Sequence, residues 1–159
     1  MNQAQSDTTT CSVAEGPLDS PLVIAVEATR FAKEVRGIGR YVRAMLPRLL
    51  AQRPGLRLVL FVKPREVAGL TARYAAQAAT RGRIDVRPIG QLRRARADAF
   101  WYPWNVASQA PQQGPVVVTM HDVAPIALPD PRFTKWRKNW RWRNRYRATA
   151  ARATLLVVD

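Results

Sequence analysis

His121 is the only histidine among the 159 residues, and it follows closely on a run of three valines at positions 116–118. Consecutive β-branched residues are typical of a strand that is buried on both faces in a parallel sheet. Because ligands of open α/β sheets bind outside the carboxyl ends of the strands, His121 occupies a position where chemistry is commonly done. An imidazole there can donate, accept or titrate near neutral pH. The alternative is a structural histidine that secures a loop by hydrogen bonds.

A second candidate is the glycine loop formed by Gly37, Gly39 and Arg40, which precedes apolar residues at helical spacing. Backbone N–H groups at the start of a helix can bind an anion. In a dinucleotide fingerprint, a third glycine stands at the position that Val42 occupies here, and the glycine loop follows the strand directly. This sequence meets neither condition, which argues against a nicotinamide site. Two interpretations remain: a tight turn into the helix, or a contact with a phosphate or sugar.

The third candidate is an aromatic loop that contains Trp101, Tyr102, Pro103, Trp104 and Asn105. Its rings can stack on a sugar or line an acceptor groove. Residues of this kind also commonly fill a core and its rim.

The fourth candidate is a basic segment that carries eight cations and no acid between residues 132 and 147. At helical spacing, Trp136 and Trp140 share one face of the helix. In a membrane-binding interpretation, these tryptophans, Lys138 and Arg141 face an anionic membrane. Two alternatives stay open: a surface helix with its tryptophans turned inward, and a helix that grips phosphates and stacks on bases. The cations are Arg132, Lys135, Arg137, Lys138, Arg141, Arg143, Arg145 and Arg147.

The elements that must position these residues follow from hydrophobic patterning. Apolar runs predict strands, amphipathic segments predict helices, and their alternation indicates an α/β fold with a doubly wound, mostly parallel sheet and helices on both faces. Pro47 lies inside the first helical pattern and predicts a kink or a late helix start. The predicted strands lie at 22–28, 56–62, 84–89, from 98, at 116–118 and at 154–158. The predicted helical segments lie at 37–53, 64–81, 91–97 and 130–153.

Composition limits the class of protein. A hydrophobic fraction of 47% is typical of a globular chain, and residues 1–20 are polar enough to form a disordered leader before a single domain at 21–159. The sequence has neither a secretory signal nor an apolar run long enough for a transmembrane helix, which favours a cytoplasmic location. Cys11 is the only cysteine, so internal disulfides and thiolate metal clusters are excluded, and no role is assigned to it. The sequence predicts no metal site.

Charge is the unusual property of this chain. Its 26 lysines and arginines against 11 acids give a net charge of +15. Such a balance indicates an anionic partner: nucleic acid, a membrane surface or a phosphorylated substrate. The final strand pattern, which looks buried, runs up to the last residue, Asp159. We therefore expect a truncated product, a fragment or one half of a longer protein.

Three segments together resemble the N-terminal domain of family 4 glycosyltransferases of the GT-B fold. They are EATRFAKEVRGIGRYVRAMLPRLL, DAFWYPWNVASQAP and VVVTMHDVAPIALP. They match that family's GIGRY loop, its aromatic D-x-(F/W) segment ending in P-x-N, and its strand ending in HD-(L/V)-x-P. The resemblance covers residues 22–159 in the family's order and spacing.

The resemblance implies a Rossmann-like domain that binds the sugar acceptor. His121 would be the catalytic residue facing the reacting centre. The substrate-binding residues would be Gly37, Gly39, Arg40, Trp101, Trp104, Asn105 and Asp122. Asp159 stands where the family has a serine after its strand.

The complete enzyme would transfer a hexose from a nucleoside diphosphate sugar to an acceptor hydroxyl, with no cofactor. In the family the donor is bound mainly by a second, C-terminal domain that this sequence does not contain. The chain alone is therefore expected to be inactive unless a partner chain supplies that half. The basic helix would dock the domain on the inner face of the membrane, where lipid-linked acceptors lie. The competing function is a non-catalytic basic module for an anionic membrane or, less favoured, nucleic acid.

Overall fold

The computed structural model of the protein describes residues 21–78, 80, 82–107, 113–123 and 136–158, with side chains in the last range from 140 onwards. Its core is one six-stranded sheet in which all pairs are parallel, in the order β3-β2-β1-β4-β5-β6. This confirms the predicted α/β class. The strands are β1 (Leu22–Glu27), β2 (Leu56–Val62), β3 (Ile84–Pro88), β4 (Ala99–Tyr102), β5 (Val116–Met120) and β6 (Leu155–Val158). The predicted leader at 1–20 lies outside the described residues.

Helices pack on both faces of the sheet because its central strands are apolar on both sides. On one face, Val26 and Leu60 contact the cluster formed by α1 (Ile38–Gln52) and α2 (Val67–Ala76). On the other, Phe100 and Val118 pack with a 3-10 segment (Ile89–Arg94). That second face also meets α3 (Trp136–Arg152), whose Tyr146 and Thr149 are buried. The arrangement is therefore doubly wound and Rossmann-like.

Helix α1 starts at Ile38, directly after the glycine loop, and runs without a break through Pro47. The predicted late start at Pro47 is wrong. Pro47 lies on the exposed side of the helix. The carbonyl that loses its helical N–H donor there can be hydrated by water. The helix ends at Gln52 before an extended Arg53, as the Pro-Gly pair that follows predicts.

Two of the predicted helical segments differ in length or type. The segment predicted at 64–81 begins with a 3-10 turn (Pro64–Glu66) and continues as α2 only to Ala76. The basic turn predicted at 91–97 is the 3-10 segment Ile89–Arg94, in which only Leu92 is buried. The start of the helix predicted from 130 lies outside the described residues.

Strand β6 pairs only with β5, through a register that aligns Leu156 with Val118. All four of its side chains are exposed. The prediction of a buried strand is therefore wrong here. The apolar run is present, but within the described part of the chain no further strand pairs with its outer edge and its side chains remain uncovered.

Candidate functional site

Three of the sequence motifs meet at the carboxyl edge of the sheet. Strands β4 and β5 are neighbours, with Trp101 opposite Val117, so the aromatic loop after β4 lies beside His121 after β5. Helix α1, which the glycine loop begins, packs on the same side and brings Tyr41 to the imidazole. The fold thus assembles at one point segments that are far apart in the sequence.

His121 is half-buried, and three contacts hold its backbone and its ring. Its backbone N–H donates to Oδ1 of Asn105 at 2.7 Å, and its ring Nε2 lies 3.1 Å from the carbonyl oxygen of Pro103. Since a carbonyl only accepts, Nε2 carries a proton in this contact. The Tyr41 ring lies edge-on, with centroids 4.8 Å apart. The contacts therefore set the orientation of the ring.

Asn105 joins the aromatic loop to the histidine segment. Its φ of 65° lies in the left-handed region, which asparagine adopts more readily than most residues. Its backbone N–H donates to the carbonyl oxygen of Thr119 at 3.1 Å, and its Nδ2 lies 3.5 Å from Oδ2 of Asp122. This one side chain therefore contacts both residues of the His121–Asp122 pair.

Asp122 is exposed, and its backbone carbonyl connects the site to α3. The hydroxyl of Tyr146 donates to that carbonyl oxygen at 3.3 Å. Burial raises the pKa of Tyr146, and the nearby Asp122 carboxylate raises it further. Tyr146 therefore stays a neutral phenol that can donate this hydrogen bond.

The two tryptophans of the aromatic loop lie in the core. Trp101 is 7% exposed and its Nε1 donates to Oγ1 of Thr119 at 2.9 Å. Trp104 is 2% exposed and its Nε1 donates to the carbonyl oxygen of Glu27 at 2.7 Å. This geometry matches the core-filling interpretation of the aromatic loop.

The glycine loop has a structural function in this fold. Gly37 adopts a φ of 53°, and its carbonyl oxygen accepts hydrogen bonds from the N–H groups of Arg40 and Tyr41. Gly39 is buried, and a Cβ there would overlap the backbone carbonyl of Glu34. The loop therefore makes the tight turn into α1. Arg40 is exposed beside it, and a phosphate or sugar contact stays a prediction.

Only part of the predicted membrane-facing surface lies among the described side chains. Trp140 is 58% exposed and Arg141 is also exposed, whereas the side chains of Trp136 and Lys138 lie outside the described set. Trp142 is half-buried against Tyr146, with ring centroids 6.2 Å apart. Among the described residues, no helix has the length and apolar character needed to cross a bilayer.

Sequence reasoning missed two residues near the site. Tyr41 fits the apolar pattern of α1 like any core residue, and its ring also contacts His121. Glu27 ends the apolar strand β1 and is only 5% exposed. Burial raises the pKa of its carboxyl, against hydrogen bonds from Thr29 that lower it. A carboxylate closing an otherwise apolar strand was the signal available in the sequence.

The described residues contain no group of three or more histidine, cysteine, aspartate or glutamate side chains able to hold a metal ion. A scan against protein-family models, a search of curated proteins and a search of solved structures found no match to this chain.

Proposed function

We propose that this chain is the acceptor-binding domain of a hexosyltransferase that uses a nucleoside diphosphate sugar. The observation that carries the proposal is the convergence of three motif segments on His121. Tyr41 comes from the helix after the glycine loop, Asn105 comes from the aromatic segment, and both contact His121, which directly follows β5. The three segments are far apart along the chain, so their meeting at one point supports a common function.

In this proposal His121 positions a hydroxyl. With its ring oriented by the Pro103 carbonyl, the imidazole hydrogen-bonds a hydroxyl of the acceptor or of the transferred sugar. The acceptor oxygen forms a bond to the anomeric carbon, the bond from that carbon to the diphosphate breaks, and the acceptor proton passes to the departing diphosphate. Fixing the reacting groups in this way lowers the barrier by orientation.

Negative charge that develops on the diphosphate requires positive partners. The amino-terminal end of α1, with exposed Arg40 beside it, supplies a partial positive charge and a guanidinium at the same edge of the sheet. The donor itself would be bound by a second α/β domain, which the proposal places outside these 159 residues.

The test combines this chain with a donor-binding domain encoded downstream or by a neighbouring gene. Release of nucleoside diphosphate is measured with a panel of nucleotide hexoses and acceptors. We expect turnover that His121→Ala lowers more than tenfold, while Arg48→Ala, on the exposed side of α1, leaves it unchanged. Equal turnover in His121→Ala and Arg48→Ala would mean that His121 has only a structural role.

A second candidate function is docking on an anionic membrane, favoured by the exposure of Trp140 on a helix rich in arginine. Tryptophan among cations is the composition of interfacial helices. Vesicle flotation with and without anionic lipid tests this: we expect binding only with anionic lipid, and weaker binding for Trp140→Ala. Equal binding to vesicles with and without anionic lipid would contradict this function.

A further inference from the structure

A cavity of about 330 Å³ lies between the carboxyl end of β1, the loop after β4 and the last turns of α3. It is distinct from the His121 contacts, although Trp104, which lines it, is the neighbour of Pro103. Its size is at the lower end of the range for small-molecule sites. Its polar lining consists of Glu27, Thr29, Arg30, Arg145, Thr149 and Arg152.

Glu27 is the unusual group in this cavity. Both hydrogen bonds to its carboxylate come from Thr29, through the backbone N–H at 3.1 Å and through the hydroxyl, and both end on Oε1. Within the described part of the chain, Oε2 accepts no hydrogen bond and Glu27 forms no ion pair. Glu27 lines the cavity, so a hydroxyl of a bound molecule can donate the hydrogen bond that the described protein groups do not supply to Oε2.

Three arginines surround the same space without reaching that carboxylate. Arg145 and Arg152 are seven residues apart on α3, with buried Thr149 between them, so all three residues lie on one helix face. Arg30 enters from the loop after β1, and its one recorded ion pair is a long contact of 3.9 Å with Glu34. Guanidinium groups bind phosphate oxygens in a bidentate manner. The cavity therefore combines a hydroxyl acceptor with a cationic rim.

From this combination we propose that the cavity binds a sugar or polyol phosphate. The arginines hold the phosphate dianion, and Glu27 accepts a hydrogen bond from a hydroxyl on the carbon skeleton. The two halves of the ligand use different parts of the cavity: phosphate alone makes no bond to Glu27 Oε2, and a neutral sugar gives the arginines no anion. The proposal rests on the cavity alone and does not require glycosyl transfer.

Calorimetric titration of the 159-residue chain with glucose 6-phosphate, glucose and inorganic phosphate tests the proposal. We expect glucose 6-phosphate to bind at least tenfold more tightly than phosphate, and glucose to show no measurable binding. The double variant Arg145→Gln/Arg152→Gln should weaken both phosphate-containing ligands more than tenfold. The matched control, Arg143→Gln/Arg147→Gln, removes the same charge from the same helix outside the cavity and should bind as the wild type does.

Glu27→Gln separates the two halves of the site. It should bring the affinity for glucose 6-phosphate close to that for phosphate, without weakening phosphate itself. Absence of glucose 6-phosphate binding, or equal losses in the cavity and control variants, would overturn the proposal. If Glu27→Gln does not fold, the indole N–H resonance of Trp104 in the wild-type chain provides the second readout. It should move with glucose 6-phosphate, and a stationary resonance would also refute the site.

Discussion

The Tyr41 ring meets the His121 imidazole edge-on, at an interplanar angle of 80° and a centroid distance of 4.8 Å. The same tyrosine also packs edge-on against Trp101, with centroids 6.3 Å apart. One aromatic side chain of α1 therefore connects the imidazole to the core of the sheet. Because the chain has a single histidine, the ring resonances of that residue report on this contact without overlap.

Tyr41→Ala should lower the free energy of unfolding by about 2 kcal/mol, because it removes a half-buried aromatic ring and leaves a gap. Chemical denaturation measures this loss. The ring protons of His121 should also shift in the NMR spectrum, since the edge of an aromatic ring no longer faces them. Tyr41→Phe keeps the ring and should reproduce the wild-type His121 signals; a shift of equal size in that variant would contradict the packing explanation.

Replacement of Asn105 should separate its backbone function from its side-chain function. Asn105→Ala loses the 2.7 Å bond to the His121 N–H and places a less tolerant residue at φ 65°, so we expect a loss of about 2 kcal/mol. Asn105→Gly loses the same side-chain contacts without the backbone strain and should cost about 1 kcal/mol. Denaturant midpoints measure both, and equal losses would mean that backbone strain has no part in the effect.

The two glycines of the α1 turn should respond differently to alanine. Gly39→Ala forces a Cβ into the backbone carbonyl of Glu34 and should cost more than about 2 kcal/mol, because backbone atoms must move. Gly37→Ala meets no neighbour and should lose about 1 kcal/mol from its left-handed φ. Gly69, inside α2 with open space around its Cβ position, is the control: Gly69→Ala should gain up to about 1 kcal/mol. Thermal unfolding of the three variants gives this order, and a Gly39→Ala protein as stable as the wild type would refute the close approach.

Glu27 should make the folded state less stable as pH rises. Burial raises the folded-state pKa above the unfolded value of 4.5, so the folded protein binds the proton more tightly. The carboxyl therefore contributes fully below pH 4.5, and its contribution declines as pH rises from there through the folded-state pKa. In Glu27→Gln this dependence is absent, so its stability relative to the wild type should increase between pH 4 and 7. Denaturation at several pH values measures the difference, and a constant difference would contradict the assigned cause.

Local pattern predicts most of the sheet, because buried parallel strands need continuous apolar runs. The sequence predicts the second strand at residues 56–62, and the structure confirms those bounds. The exposed state of β6 could not be predicted in this way, since its residues are as apolar as those of β2. Burial depends on which elements cover a strand, and local composition does not contain that information.

The sequence predicts only some residues of the candidate site. His121 follows from its place after an apolar run, yet its partner Tyr41 looks like any aromatic residue on a buried helix face. The arginines of the Glu27 cavity are likewise indistinguishable from the other cations of their segment until α3 is placed against β1. Tertiary placement, which no spacing rule supplies, decides which charges share a cavity.

The all-parallel sheet also determines how this chain must fold. No two of its strands can pair as a hairpin, and the central β1–β4 pair joins Ile24 to Ala99 across most of the domain. Closing such long loops lowers the conformational entropy of the chain before the hydrogen bonds between the strands form. We therefore expect slow folding that begins with the pairs closest along the chain, β4 with β5 and β2 with β3, before β1 closes on β4.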